Sequence, residues 1–333
     1  MKNYIIKKFS SINEVQLYQF YKKVYRNIDK TFIKNIRWQY RIGYNQFEPI
    51  VIIVENKIIG HAGLIPGEIE NQGQKYPVIW GSDFDILPEF RSRGYGKILT
   101  NEWMKICPNQ ISFGNNLSFG LFKRLNWKTN FSTIRKIYPI NYFKITPIIK
   151  NFGLNIGNNF IRYFLKKNLK DKKLIKPEKI SKTIIQNFIK FKKEEKSISV
   201  YISRDESWFN WRLIESPYKN DIYFFEDNDE FVIGRIFYQN KIKRLNVLYT
   251  NAINSEQSIF KLLLKWSIEN EIDFIWHITN SSKDSNQLFS TIYKKKMNFA
   301  FNTSSPSLFQ GLERGLVNIQ GIDGDIDYIA RER

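Results

Sequence analysis

One cysteine, Cys107, occurs among 333 residues. The chain therefore cannot close a disulfide within itself or build a zinc site on paired thiolates, and a reducing cytoplasm is the compartment this composition predicts. Set before Pro108 at the end of a helical pattern, Cys107 reads as a packing residue. Histidine is nearly as scarce, with only His61 and His277, which excludes a multi-histidine metal centre. Asp323, Asp325 and Asp327 alternate near the end of the sequence, but the remaining ligands of a calcium loop are missing, so no metal is expected. No window approaches the roughly 20 apolar residues of a spanning helix, and the opening MKNYIIKKFSS lacks the apolar run of a signal peptide. Neither a Ser-His-Asp pattern nor a nucleotide-hydrolysis loop is found.

Basic residues, by contrast, are plentiful. Lysine and arginine number 52 against 32 acidic residues, a formal charge of +20. Such a balance points to nucleic acid or an anionic membrane, but lysine, asparagine and isoleucine are abundant together, as an AT-rich genome favours. The charge is therefore read by where it is concentrated, and nucleic acid is not the expected partner. Lysines crowd residues 166–182, just after a stripe made by Phe160, Ile161, Phe164 and Leu165. Residues 156–182 are thus either a solvated helix between domains or a peripheral contact with an anionic membrane.

Residues 80–105, WGSDFDILPEFRSRGYGKILTNEWMK, carry the chemistry. Alternation up to Leu87 predicts a strand, with Asp83 and Asp85 on one side and Phe84 and Ile86 on the other. Pro88 ends the ladder because it has no N–H to donate. After a basic glycine turn, Ile98, Leu99, Trp103 and Ile106 recur as one face of a helix. Unpaired N–H groups at a helix start, the helix dipole and glycines that admit a bulky group together suit a diphosphate. Arg91, Arg93 and Lys97 add positive charge there.

Ile86-x-Pro88-x-x-Arg91-x-x-Gly94-x-Gly96 resembles the acetyl-coenzyme A motif of the GCN5-related N-acetyltransferase (GNAT) family. The segment Asn115-Asn116-Leu117-Ser118-Phe119-Gly120-Leu121-Phe122-Lys123-Arg124-Leu125-Asn126-Trp127 resembles that family's second block. The resemblance implies acetyl-CoA, or another acyl-CoA, as co-substrate. It assigns cofactor binding to Phe84, Ile86, Arg91, Ser92, Arg93, Gly94, Tyr95, Gly96, Lys97 and Asn115, and oxyanion donation to main-chain amides near Ile86. Two positions depart from the pattern. Phe122 stands where the family often has a general-acid tyrosine, and Asn126 replaces a glycine that ends a helix in the left-handed conformation, which asparagine tolerates.

Periodicity predicts helices over 12–25 and 30–40, strands over 49–54 and 57–65 joined at Glu55-Asn56, and a strand over 133–139. The second half echoes the first. Trp211 precedes strands over 222–225 and 231–238, the latter carrying Gly234, much as Trp38 precedes a hairpin carrying Gly60 at nearly the same distance. A strand over 244–249, a helix over 256–270, a strand over 274–279 and a helix around 287–294 follow. Where the cofactor turn should recur stands Asn251-Ala252-Ile253-Asn254-Ser255, with neither glycine nor arginine. The expected fold class is α/β (α+β): two GNAT-like domains in tandem, each a mixed, mostly antiparallel sheet flanked by helices, the second copy degenerate. The expected boundaries are 1–142 for the acyl-CoA domain, 143–196 for a basic helical linker, 197–312 for the degenerate copy and 313–333 for a polar tail.

Acyl transfer to an amine needs a group that takes the amine's proton. Asp83, Asp85 and His61 are the candidate catalytic residues; His277 reads as structural. The expectation is an acyl-CoA-dependent N-acetyltransferase acting on a small-molecule amine. The tandem layout resembles family members of bacterial polysaccharide synthesis, which implies an amino sugar or sugar nucleotide as acceptor. A cell-wall transferase with an aminoacyl-tRNA donor and a non-catalytic binding protein of the same fold are the alternatives.

Overall fold

A computed structural model describes residues 3–25, 28–43, 47–114, 116–141, 174–191, 200–239, 241–252, 259–279, 293–314 and 319–323. Strand β1 (Tyr4–Lys8) precedes helix α1 (Glu14–Val24), whose start is capped by the Asn13 side chain accepting from the Val15 amide at 2.8 Å. Leu17, Phe20 and Tyr21 form its buried face, and α2 (Phe32–Gln39) follows. Glu55 and Asn56, with φ of 49° and 62°, make the tight turn between β2 (Ile50–Val54) and β3 (Lys57–Asn71). A second such turn at Gln72-Gly73 joins β3 to β4 (Gln74–Ile86). Strand β3 thus runs to Asn71 rather than ending at residue 65. Next come α3 (Tyr95–Ile106), β5 (Asn109–Phe113), α4 (Asn116–Arg124) and β6 (Lys128–Pro139).

The second half contributes β7 (Glu178–Lys179), α5 (Lys182–Phe191), β8 (Val200–Ser203) and α6 (Glu206–Phe209), which runs into a single π turn over Asn210–Ile214. Strands β9 (Ile222–Asp227), β10 (Glu230–Gln239) and β11 (Ile242–Thr250), helix α7 (Ile259–Glu269), strands β12 (Phe274–Thr279) and β13 (Tyr293–Thr303), and helix α8 (Pro306–Arg314) complete the chain.

Twelve strands form one continuous mixed sheet in the order β1-β2-β3-β4-β5-β13-β6-β12-β11-β10-β9-β7, with β8 added to β3. In each half one pair is parallel, β4 with β5 and β11 with β12. The two strands at the centre are exchanged. The second half's β13 lies against β5, from Phe299 opposite Phe113 to Thr303 opposite Asn109, and the first half's β6 lies against β12, from Phe274 opposite Pro139 to Thr279 opposite Ile134. Helix α3 covers one face through Leu99 and Trp103, over Ile52, Ile59, Leu64 and Ile79. Helices α1 and α2 cover the other, in a core that continues through Ile185, Phe188, Phe209 and Trp211. Burial of this apolar surface is the main force holding sheet and helices together.

Two expectations are corrected. Lys294 belongs to β13, not to a helix: Met297, Phe299 and Phe301 alternate into the core, the period of a strand. Residues 280–292, the rest of that predicted helix, lie outside the described residues. The segment expected as a polar tail carries buried Ile319, Gln320, Ile322 and Asp323. Of the basic stretch, residues 156–173 lie outside the described residues; from residue 174 onward the chain packs against the second half through Ile175, Ile184, Ile185 and Phe188.

Candidate active site

Strand β4 gives the site its two sides. It pairs with β5 only from Ile79 to Gly81, where the Ser112 hydroxyl donates to the Gly81 carbonyl at 2.9 Å. Beyond Gly81 no described strand pairs with that edge, and the β4–β5 ladder ends there. On its other edge β4 stays paired with β3, but the register slips between His61 and Gly63, and Asp83 at this bulge has φ of 44°. A non-glycine residue held there is a conformational cost that the surrounding contacts must offset.

On the α3 side, Phe84 lies near Gly96 at the start of that helix: a Cβ at Gly96 would stand 3.9 Å from Phe84 and 3.8 Å from Leu121. The turn before the helix is exposed at Arg91, Ser92, Arg93 and Gly94. Ser92 (φ 61°) and Gly94 (φ 83°) both take the left-handed conformation, and no side chain caps the helix at Gly94. The amides of the first turn are thus presented outward at the positive end of the helix dipole. Arg91 donates through Nε to the Ile86 carbonyl at 2.8 Å, fixing the turn to the end of β4, and Arg93 lies over the Phe90 ring. Lys97 is exposed, whereas the Tyr95 side chain is buried, so Tyr95 offers only its main chain.

On the opposite side a buried polar cluster lies under α1 and α2. His61 Nδ1 is 3.1 Å from the Asp83 carbonyl and Nε2 is 3.1 Å from the Tyr21 hydroxyl. A carbonyl only accepts, so Nδ1 carries the proton and Nε2 accepts from the phenol. Asp83 accepts from Tyr25 at 2.6 Å and, through its other oxygen, from Tyr40. The Tyr25 hydroxyl also lies 3.3 Å from Asp85 Oδ2. Gly63 makes room for this arrangement, since a Cβ there would overlap the Tyr40 hydroxyl.

The sequence of residues 15–126 matches the model of the acetyltransferase (GNAT) family. Over that third of the chain the likeness is to a GNAT acetyltransferase domain. Solved structures extend the likeness of fold to both halves. Yeast (Saccharomyces cerevisiae) N-myristoyltransferase with bound myristoyl-CoA superposes at a TM-score of 0.62 with 14% identity, covering 91% of this chain and 83% of that one. A GCN5-related N-acetyltransferase from Kribbella flavida gives 0.57 and 11%, over 90% and 70% of the two chains. An Enterococcus faecalis protein of unknown function, a probable N-acyltransferase, gives 0.53 and 13%, over 90% and 72%. No curated protein sequence matches the chain.

Within residues 15–126 the structure gathers Asp83, Asp85 and His61 into one cluster and sets Phe84, Ile86 and residues 91–97 along the other side of the same strand. Asn115 lies outside the described residues. Phe122 faces the core, stacked on Trp127 with centroids 4.4 Å apart, and offers no proton. Asn126 has φ of 61°, the left-handed helix end that asparagine tolerates. Tyr21, Tyr25 and Tyr40 were missed by sequence reasoning, because their helical spacing is that of ordinary core residues.

Residues 253–258, where a matching turn of the second half would lie, are outside the described residues. Asn251 folds back, accepting from the Phe231 amide at 2.8 Å and donating to the Asp229 carbonyl at 2.7 Å. The main chain of β11 past its pairing with β12 is taken up by the chain's own end: the Ile322 amide donates to the Leu248 carbonyl at 2.9 Å, and Gln320 donates to the Thr250 carbonyl at 3.0 Å. Arg204 and Asp323 hold that segment in a fully buried ion pair. Asp323 thus serves a guanidinium. His277 is buried, and burial first, with Lys136 second, lowers its pKa to about 3. Burial raises the pKa of the Cys107 thiol, which has no catalytic neighbour in view.

Proposed function

We propose that this protein is an acyl-CoA-dependent N-acyltransferase that moves an acetyl or other short acyl group to a primary amine, with an amino sugar or sugar nucleotide as the acceptor. The observation that carries this reading is the turn at residues 91–97, exposed from Arg91 to Gly94: a helix start without a side-chain cap, opened by two left-handed residues, flanked by basic side chains and following the stretch of β4 that runs unpaired past β5. The turn suits a coenzyme A diphosphate, and near Ile86 the edge of β4 that faces away from β3 has no described strand beside it. A yeast structure of like fold was solved with bound myristoyl-CoA.

In this reading the thioester lies beside that edge, with amides near Ile86 facing the developing oxyanion. Asp85 receives the amine's proton as the bond to the acyl carbon forms. His61 does not, because both its nitrogens are engaged by Tyr21 and the Asp83 carbonyl. A thiol ionises near pH 8.5, so thiolate leaves without a dedicated acid at the Phe122 position. The second half frames the acceptor. These assignments are open to calorimetry: acetyl-CoA should bind the wild-type protein and not Gly94→Glu, and a panel of amines and amino-sugar nucleotides should then be screened for CoA release. Absence of binding at millimolar acetyl-CoA would remove the enzyme reading. Salt-dependent affinity for tRNA or random DNA instead would favour a nucleic-acid-directed protein.

A further inference from the structure

Residues 319–323 close over two buried arginines of the second half. Arg204, just past β8, donates through Nε to Asp323 at 2.6 Å; Arg212, in the π turn after α6, donates through Nε and Nη2 to the Ile322 carbonyl at 3.1 and 2.8 Å. The same segment is fixed to β11, where the Ile322 amide and the Gln320 side chain reach the Leu248 and Thr250 carbonyls. It is also braced within itself, because the Asp323 carboxylate accepts from the Gln320 amide at 2.8 Å. From Arg212 the contacts pass into the first half. Its guanidinium lies 5.2 Å from the Trp211 ring and 5.4 Å from the Trp38 ring, and each of those indoles is hydrogen-bonded to the main chain of the other residue. Both guanidiniums also approach the Trp208 ring at 5.9 Å. Trp38 belongs to α2, whose end carries Gln39 and Tyr40 onto Ser82 and Asp83 of β4.

We propose that residues 319–323 are a clasp, with Arg212 as its joint, that holds α2 of the first half in place over β4. Unseating the clasp takes the Ile322 carbonyl from Arg212 and the Asp323 carboxylate from Arg204. A buried guanidinium that loses an acceptor is driven to find another or to meet water. Arg212 has no exposed surface, so it reaches water only by moving away from the indoles, and with it goes the cation–π attraction that seats Trp38. Clasp and helix therefore open together, although they belong to opposite halves of the chain. The device lies in the fold and goes beyond the acyltransferase reading, since it holds whether or not an amine is acylated.

The test is fluorine NMR on the full chain carrying fluorotryptophan, with resonances assigned through Trp38→Phe, Trp103→Phe, Trp127→Phe, Trp208→Phe and Trp211→Phe. Asp323→Asn should shift or broaden the Trp38 resonance together with those of Trp208 and Trp211, while Trp103 and Trp127, in the core under α3, stay in place. Gln320→Ala, which removes the bond to the Thr250 carbonyl, should give a weaker form of the same pattern and serves if Asp323→Asn does not fold. In urea, Asp323→Asn and Trp38→Phe combined should lower the unfolding midpoint by less than the sum of their separate effects, because each breaks the same unit. The proposal is overturned if Trp38 stays in place while Trp208 and Trp211 move, if none of the three moves, if all the assigned resonances shift alike, or if the two effects in urea simply add.

Discussion

Trp38 and Trp211 donate to each other: the Trp38 indole N–H meets the Trp211 carbonyl at 3.0 Å, and the Trp211 indole N–H meets the Trp38 carbonyl at 2.8 Å. Two residues 173 positions apart thus make the same bond in opposite directions. Trp211→Phe removes one donor and leaves the Trp38 carbonyl without it. The expected loss is about 1–3 kcal/mol of stability, read by urea denaturation.

Gly63→Ala acts on the reaction side without touching the glycine turn. The new methyl group would overlap the Tyr40 hydroxyl and push it off Asp83. Turnover should fall while acetyl-CoA affinity stays, with a stability cost of about 1–3 kcal/mol from overpacking. Calorimetry and CoA-release assays on the same preparation separate the two.

His277 makes the fold acid-sensitive. It stays neutral in the native state down to about pH 3, because burial and then Lys136 oppose its charge, whereas in the unfolded chain it takes a proton near pH 6.5. The unfolded state binds the extra proton between these values, so stability is lost as pH falls through that window, on the order of 2 kcal/mol by pH 5. His277→Gln should flatten the slope of unfolding free energy against pH.

Asp323→Asn leaves the buried Arg204 guanidinium without its carboxylate. The expected cost is about 3–5 kcal/mol. Replacing both partners with apolar residues should cost less than the single change, a comparison that thermal unfolding of the three variants provides.

Local order was legible where local chemistry dictates it. Pro88 marks the end of β4, Asn126 marks the end of α4, and the glycines at 94 and 96 mark the turn. The echo of Gly60 and Gly234 also has a physical basis: both lie at register slips where a Cβ would crowd a strand neighbour, Ile86 in one case and Leu245 in the other. What depends on distant pairing was not legible. Residues 293–303 read poorly as a strand because Lys294, Lys295 and Lys296 mask its alternation, and nothing local says that its partner is β5. Tyr21 and Tyr25 lie four residues apart, and that spacing cannot tell a core ring from one whose hydroxyl reaches a histidine or an aspartate.

The trade of β6 for β13 has a consequence for how the molecule is made. When residue 142 leaves the ribosome, β5 still lacks its neighbour, which is supplied only once residue 303 has been synthesised. The first half must therefore wait, with one strand edge bare, for most of the remaining chain. Cutting the molecule between its halves would yield two fragments, each carrying the other's missing strand, that regain shape only on meeting.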